Sequence, residues 1–238
     1  MTTTPVLVLD SIVKSFGRRR VLSAATVHVH AGRITALLGR NGCGKTTLLR
    51  IAVGEEKRDS GLIRFLDVPL HRPRLHRMAP SGFFYLPERG LLAGEATVGE
   101  RMRALARRYG LADGPAIIER LRLAELLARA PAQLSTGERR RAEIALALLR
   151  RPRCLIADEP FLGIAPHDAD VIAVALRALA VEGCALLVTG HEVRLLLDLA
   201  DDIVWMAGGT THALGAPADA ARNGSFMRDY LGGMPAVR

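Results

Sequence analysis

The sequence predicts an α/β protein built on a mainly parallel sheet, and three observations lead there. Strand-length apolar runs alternate with helix-length segments through the second half of the chain, as crossover connections between parallel strands require. A glycine-rich loop stands between an apolar run and a helical one. The first thirty residues instead alternate residue by residue, the habit of an antiparallel sheet with one buried face.

Taken in order, Val6, Val8 and Asp10 begin the alternating region. Val27 and Val29 then oppose His28 and His30 after a turn at Gly17, Arg18, Arg19 and Arg20. Residues 33–38 read as a buried strand and 46–52 as a helix. Residues 62–65 form a strand after the Ser60-Gly61 break, and 83–86 another that stops at Pro87. From 97 to 130 the period becomes helical. Val98, Met102, Leu105 and Ala106 share a face, Ile117, Leu121, Leu123 and Leu127 follow, and Gly110, Gly114, Pro115 and Pro131 punctuate. Helices at 138–150, 168–181 and 192–200 then alternate with strands at 154–157, 185–188 and 203–206. A single domain over 1–238 is expected: 1–86 and 139–238 make the core with its antiparallel part, and 88–138 an inserted helical subdomain.

Composition narrows the function. Hydrophobic residues are 49% of 238, which favours a folded globule over disorder. No apolar stretch reaches the roughly 18–20 residues of a membrane span, and no secretory leader is visible, so a cytoplasmic location is expected. Net charge is +9, yet aromatics are only 4% and never interleave with basic residues. Nucleic acid is therefore not the expected partner. The runs Arg18, Arg19, Arg20 and Arg139, Arg140, Arg141 read as solvated or interface-lining faces. Cys154 and Cys184 belong to apolar strands and read as core residues.

The loop Gly39-Arg40-Asn41-Gly42-Cys43-Gly44-Lys45-Thr46-Thr47 satisfies the phosphate-binding pattern G-x-x-x-x-G-K-[ST], with a strand before it and a helix after it. Glycines let backbone N–H groups converge on a phosphate chain, and the helix N-terminus adds partial positive charge. Lys45 is placed to neutralise the β- and γ-phosphates, and the Thr46 hydroxyl to bind Mg²⁺. The chain is expected to bind a nucleoside triphosphate with Mg²⁺. Cys43 is expected to alkylate readily without nucleotide and to be shielded by it.

A second element supports the first. Cys154-Leu155-Ile156-Ala157-Asp158-Glu159-Pro160 is an apolar strand ending in two acids. Asp158 is placed to hold Mg²⁺, and Glu159 to polarise water for in-line attack on the γ-phosphate. Leu134-Ser135-Thr136-Gly137-Glu138 then precedes a helix, and it resembles the L-S-G-G-Q signature of ABC ATPases. The resemblance runs from Phe16 to His191 with every element in the family's order. The stretch 134–141 and the ending Arg228-Asp229-Tyr230-Leu231-Gly232 look most like the branch serving lipopolysaccharide export and branched-chain amino-acid uptake.

That resemblance implies a RecA-like P-loop NTPase fold and a set of roles. Phe16 would stack on adenine, His191 would contact the γ-phosphate and attacking water, and Glu88 would reach Mg²⁺. Ser135 and Gly137 would hold the γ-phosphate bound by a second ABC subunit, so two chains would sandwich two ATP molecules head to tail. ATP-driven dimerisation would power separate transmembrane permease subunits, with this chain peripheral on the inner face of the membrane. Three positions depart from the family: Glu88 replaces Gln, Thr136 replaces the signature's first Gly, and Ala165 replaces an Asp. They leave as alternatives a weakly hydrolysing regulatory subunit in a heterodimer, or a soluble ABC ATPase outside transport.

Overall fold

The computed structural model describes residues 4–109, 114–230 and 232; Gly110 and Leu231, named above, lie outside them. The chain opens with β1 (Pro5–Phe16) and β2 (Arg19–His30), an antiparallel hairpin. Arg19 and Arg20 belong to β2, paired with Phe16 and Ser15, so the turn is tighter than the four residues predicted for it. In β2, Val27 and Val29 are buried while His28 is exposed, the alternation of a one-sided sheet, whereas Leu7, Val8 and Leu9 of β1 are all buried.

Next come β3 (Ile34–Leu38), α1 (Lys45–Val53), β4 (Ser60–Phe65), β5 (Val68–Pro69), α2 (Leu75–Met78) and β6 (Phe83–Leu86). The chain is then helical: α3 (Val98–Tyr109), α4 (Gly114–Arg120), two short 3-10 turns and α5 (Thr136–Arg150). The second half alternates β7 (Cys154–Ala157), α6 (Pro166–Val181), β8 (Ala185–Thr189), α7 (Val193–Leu199) and β9 (Asp202–Ala207). It closes with β10 (Thr210–Gly215), α8 (Pro217–Ala220) and a wide helical turn at Phe226–Tyr230.

Two sheets result. One is antiparallel, in the order β2-β1-β4-β5; the other has six strands in the order β10-β9-β3-β8-β7-β6. Among the described residues, only the β9–β10 hairpin of the larger sheet is antiparallel. All five residues of β3 and of β8, and all four of β7, are buried, as strands covered on both faces must be. Successive side chains divide between two cores. Leu38, Leu155, Ala157 and Val188 face α5, α6 and α7, while Leu37, Ile156 and Leu187 face α1 and the antiparallel sheet. Cys154 and Cys184 are buried free thiols as expected, and burial pushes the Cys184 thiol up to about 12.

The topology decides where chemistry can gather. The phosphate loop follows β3, Asp158 and Glu159 follow β7, and His191 follows β8, which lies between those two strands. Three carboxyl ends of adjacent parallel strands thus open on one crevice, where open α/β sheets place their ligands. Among the described residues no helix is long and apolar enough to cross a membrane.

Candidate functional site

At that crevice lies a cavity of about 480 Å³. Asn41, Gly42, Gly44, Lys45, Thr46 and Thr47 line one side; Glu88, Glu159 and His191 line the other. Arg19, Val21 and Leu162 complete it, and the sequence reading assigned none of these three to the nucleotide site. Lys45 is 6% exposed, and its Nζ donates to the Gly39 carbonyl at 2.7 Å, which holds the ammonium across the loop.

Opposite it, Asp158 and Glu159 are both buried. One hydroxyl organises them. Thr189 Oγ1 donates to Asp158 Oδ1 at 2.7 Å and accepts the Glu159 N–H at 3.0 Å. Thr189 is the last residue of β8, and a lone hydroxyl ending an apolar strand was the signal that could have singled it out. Glu159 sits at φ 50, a left-handed conformation that costs a non-glycine residue about 1–2 kcal/mol.

Glu159 Oε1 meets His191 Nε2 at 3.0 Å, while its Oε2 is buried with no hydrogen-bond partner among the described residues. An acceptor orphaned beside a cavity suits an incoming group that carries a proton. Burial raises the Glu159 carboxyl to about 7, with Lys45 pulling the other way. Burial also raises Asp158, against the Thr189 hydrogen bond, and lowers His191, reinforced by Lys45. The site thus holds a carboxyl poised near neutrality beside an imidazole that favours its neutral form.

Other predicted residues lie apart from the cavity lining. Phe16 is 47% exposed, with the Lys14 ammonium 4.7 Å from its ring centre. Arg40 is exposed, and the half-buried Cys43 turns its sulfur toward Gly39 and packs on the apolar core beneath the loop. Neither lines the cavity. Ser135 and Gly137 begin α5, outside the lining. Ser135 Oγ accepts the Glu138 N–H at 3.2 Å, and Glu138 Oε2 accepts the Ser135 N–H at 2.8 Å, a reciprocal cap that makes this helix start rigid. Gly137 lies hard against the Asp168 carboxylate, which leaves no room for a β-carbon.

The run Arg139, Arg140, Arg141 corrects a prediction. Arg140 and Arg141 are not solvated; they are 6% and 7% exposed. Arg141 pairs with Asp168 at 2.9 Å and donates to the Leu121 and Arg122 carbonyls. Backbone carbonyls of neighbouring loops need donors, and the first turns of α5 supply them. By contrast Arg18, Arg19 and Arg20 are exposed, as a solvated run should be.

The family model for the ABC transporter matches residues 22–162, a span that includes the phosphate loop, the signature and the paired acids. The chain belongs to the ABC transporter family. It is similar to the lipopolysaccharide export system ATP-binding protein LptB of Haemophilus influenzae, at 31% identity over 95% of this chain and 97% of that protein. It is 33% identical to the Nod factor export ATP-binding protein I of Rhizobium etli, over 88% of this chain and 68% of that one. Among solved structures, the ADP conformation of an ATP-binding cassette of an ABC transporter superposes with TM-score 0.83 at 23% identity, covering 97% of this chain and 100% of that one. A nucleotide-free cassette gives TM-score 0.80, also at 23% identity, covering 92% and 94%, so both carry the fold alone. This ABC protein is an ATP-binding and ATP-hydrolysing transporter subunit.

Proposed function

We propose that this ABC ATPase is half of a composite machine, and that a second ABC ATPase subunit completes each site. The observation that carries the proposal is the separation of the signature from the cavity: Ser135 and Gly137 begin a rigidly capped helix but do not line the chain's own pocket. A helix N-terminus with Ser135 exposed beside it suits an anion brought by another molecule. Leu162, 43% exposed at the cavity, suits cover by that partner.

In this reading Lys45 and the N–H groups of residues 41–47 cradle the triphosphate, and Phe16 flanks the adenine. Glu159 accepts a proton from the attacking water at its free Oε2, and His191 orients that water and the γ-phosphate. Thr46 and Glu88, which line the cavity, and Asp158, buried outside that lining, would supply oxygen ligands of the kind Mg²⁺ takes. When bound, the ion would neutralise charge on the β- and γ-phosphates. Transmembrane permease subunits would convert dimer closure into transport, placing this chain peripherally on the inner face of the membrane. The two relatives above are named for export, and export is the direction proposed here.

The test is nucleotide-dependent assembly. With ATP and Mg²⁺ the Glu159→Gln protein should elute as a stable dimer without turnover, the parent should turn over, and Lys45→Ala should lose nucleotide binding. A Glu159→Gln protein that binds a fluorescent ATP analogue yet stays monomeric at saturation would overturn the composite site. A Glu159→Gln protein that keeps hydrolysing would remove Glu159 as the base.

A further inference from the structure

Between β6 and α3 the chain turns sharply at residues 87–92, and Glu88 reaches the phosphate cavity from this turn. The turn is held by α5. Arg140 Nη1 donates to the Pro87 carbonyl at 3.0 Å and Nη2 to the Glu88 carbonyl at 2.8 Å. One helical turn on, Glu143 Oε1 accepts the Leu91 N–H at 2.7 Å and the Leu92 N–H at 3.2 Å. Glu143 Oε2 closes the arrangement on Arg140 Nη1 at 3.2 Å. Gly90, at φ +80, packs so closely on the Glu143 carboxylate that a β-carbon there would collide with it.

The two side chains are 7% and 1% exposed. Removing two charges from water is costly, and well-packed apolar residues of similar volume commonly hold a core as well or better. An apolar pair, however, could not hydrogen-bond two carbonyls and two N–H groups of the loop. The specific product of this buried pair is therefore the loop's position relative to the helix.

We infer that Arg140 and Glu143 are positioning residues, which fasten the Glu88 loop to the helix that begins with Ser135 and Gly137. Glu88 then moves as one body with α5. Any displacement of α5 when nucleotide or a second subunit engages its start is carried by four main-chain hydrogen bonds to the carboxylate at the cavity. The inference rests on the proposed site: Glu88 must act on bound nucleotide for the link to matter in turnover.

The experiment uses the full-length chain with Glu143→Gln, and with Arg140→Met/Glu143→Leu as a second variant that removes both charges and leaves neither unpaired. Amide exchange tests the clamp without reference to activity. The Leu91 and Leu92 amides should exchange at least tenfold faster in both variants, while α1 amides keep parental protection. Unchanged exchange would overturn the clamp whether or not the protein turns over ATP. Kinetics test the consequence. In both variants kcat should fall about tenfold with the dissociation constant for a fluorescent ATP analogue within twofold of the parent. In a Glu88→Ala background the same substitutions should lower kcat by less than twofold further, because the clamp acts through Glu88. A full tenfold loss in that background, or equal losses in kcat and nucleotide affinity, would overturn the positioning role. A Glu88→Ala protein that turns over ATP as fast as the parent would instead sink the proposed role of Glu88 and leave the exchange result to decide the clamp.

Discussion

Replacing Glu159 by Gln should make the nucleotide-free protein more stable above neutral pH while removing its catalysis. Burial raises the carboxyl from its ordinary 4.5 to about 7 in the folded chain. Between those values the unfolded chain has lost the proton and the folded chain still holds it. The folded state therefore binds more protons, so stability falls as pH rises through the window, and the whole penalty is present above pH 7. The displacement corresponds to about 3 kcal/mol, at ~1.4 kcal/mol per tenfold change in acid constant. For a domain of this length that is a gain of roughly 6–12 °C in melting temperature for the neutral amide. The assay is thermal unfolding of parent and Glu159→Gln from pH 4.5 to 8.5 without nucleotide. The difference should grow through the window and level off above it. His191 lowers stability in the acid part of the same range, because its depressed value makes the folded chain release a proton that the unfolded chain keeps. Repeating the pair in a His191→Gln background removes that contribution. A difference that does not vary with pH would refute the reasoning that burial holds this carboxyl near neutrality.

Three further outcomes are expected. Thr189→Val removes the hydroxyl that serves both Asp158 and the Glu159 N–H. It should cost about 1–3 kcal/mol in denaturant unfolding, since two buried polar groups lose their partner, and should lower kcat more than nucleotide affinity. Gly137→Ala drives a methyl into the Asp168 carboxylate; overpacking of that kind costs about 1–3 kcal/mol, and an unchanged unfolding midpoint would show that α5 and α6 separate freely. Glu88→Gln should hydrolyse ATP at least as fast as the parent at saturating Mg²⁺, and a large fall would mean that the cavity is adapted to a carboxylate.

Legibility in the sequence followed distance along the chain. Residues 83–86 and 154–157 were read at their observed limits, because each is a short apolar run bounded by proline, glycine or charge. β10 was missed: its Thr210, Thr211 and His212 are polar or half-exposed on an edge, and such a strand gains its pattern only from pairing with β9. Arg140 and Arg141 were misread for a related reason. A charged residue on a helix reads as solvated unless the loop carbonyls that will bury it are already known, and those of Pro87 and Glu88 lie 53 and 52 residues away.

By itself the sequence determined the phosphate loop, the acidic strand end, the order of strands and helices, and the ABC family to which these belong. Those depend on neighbours in the chain: glycines that let a loop curl, a helix that starts beside them, apolar runs that must be covered on both faces. Only the tertiary structure decided that Thr189 ties Asp158 to Glu159 across 31 and 30 residues, that Glu159 titrates near neutrality, and that Arg140 and Glu143 hold the Glu88 turn. The physical reason is shared. Desolvation and hydrogen bonding between distant segments depend on which groups are brought together and sealed from water, and neither is set before the chain has folded.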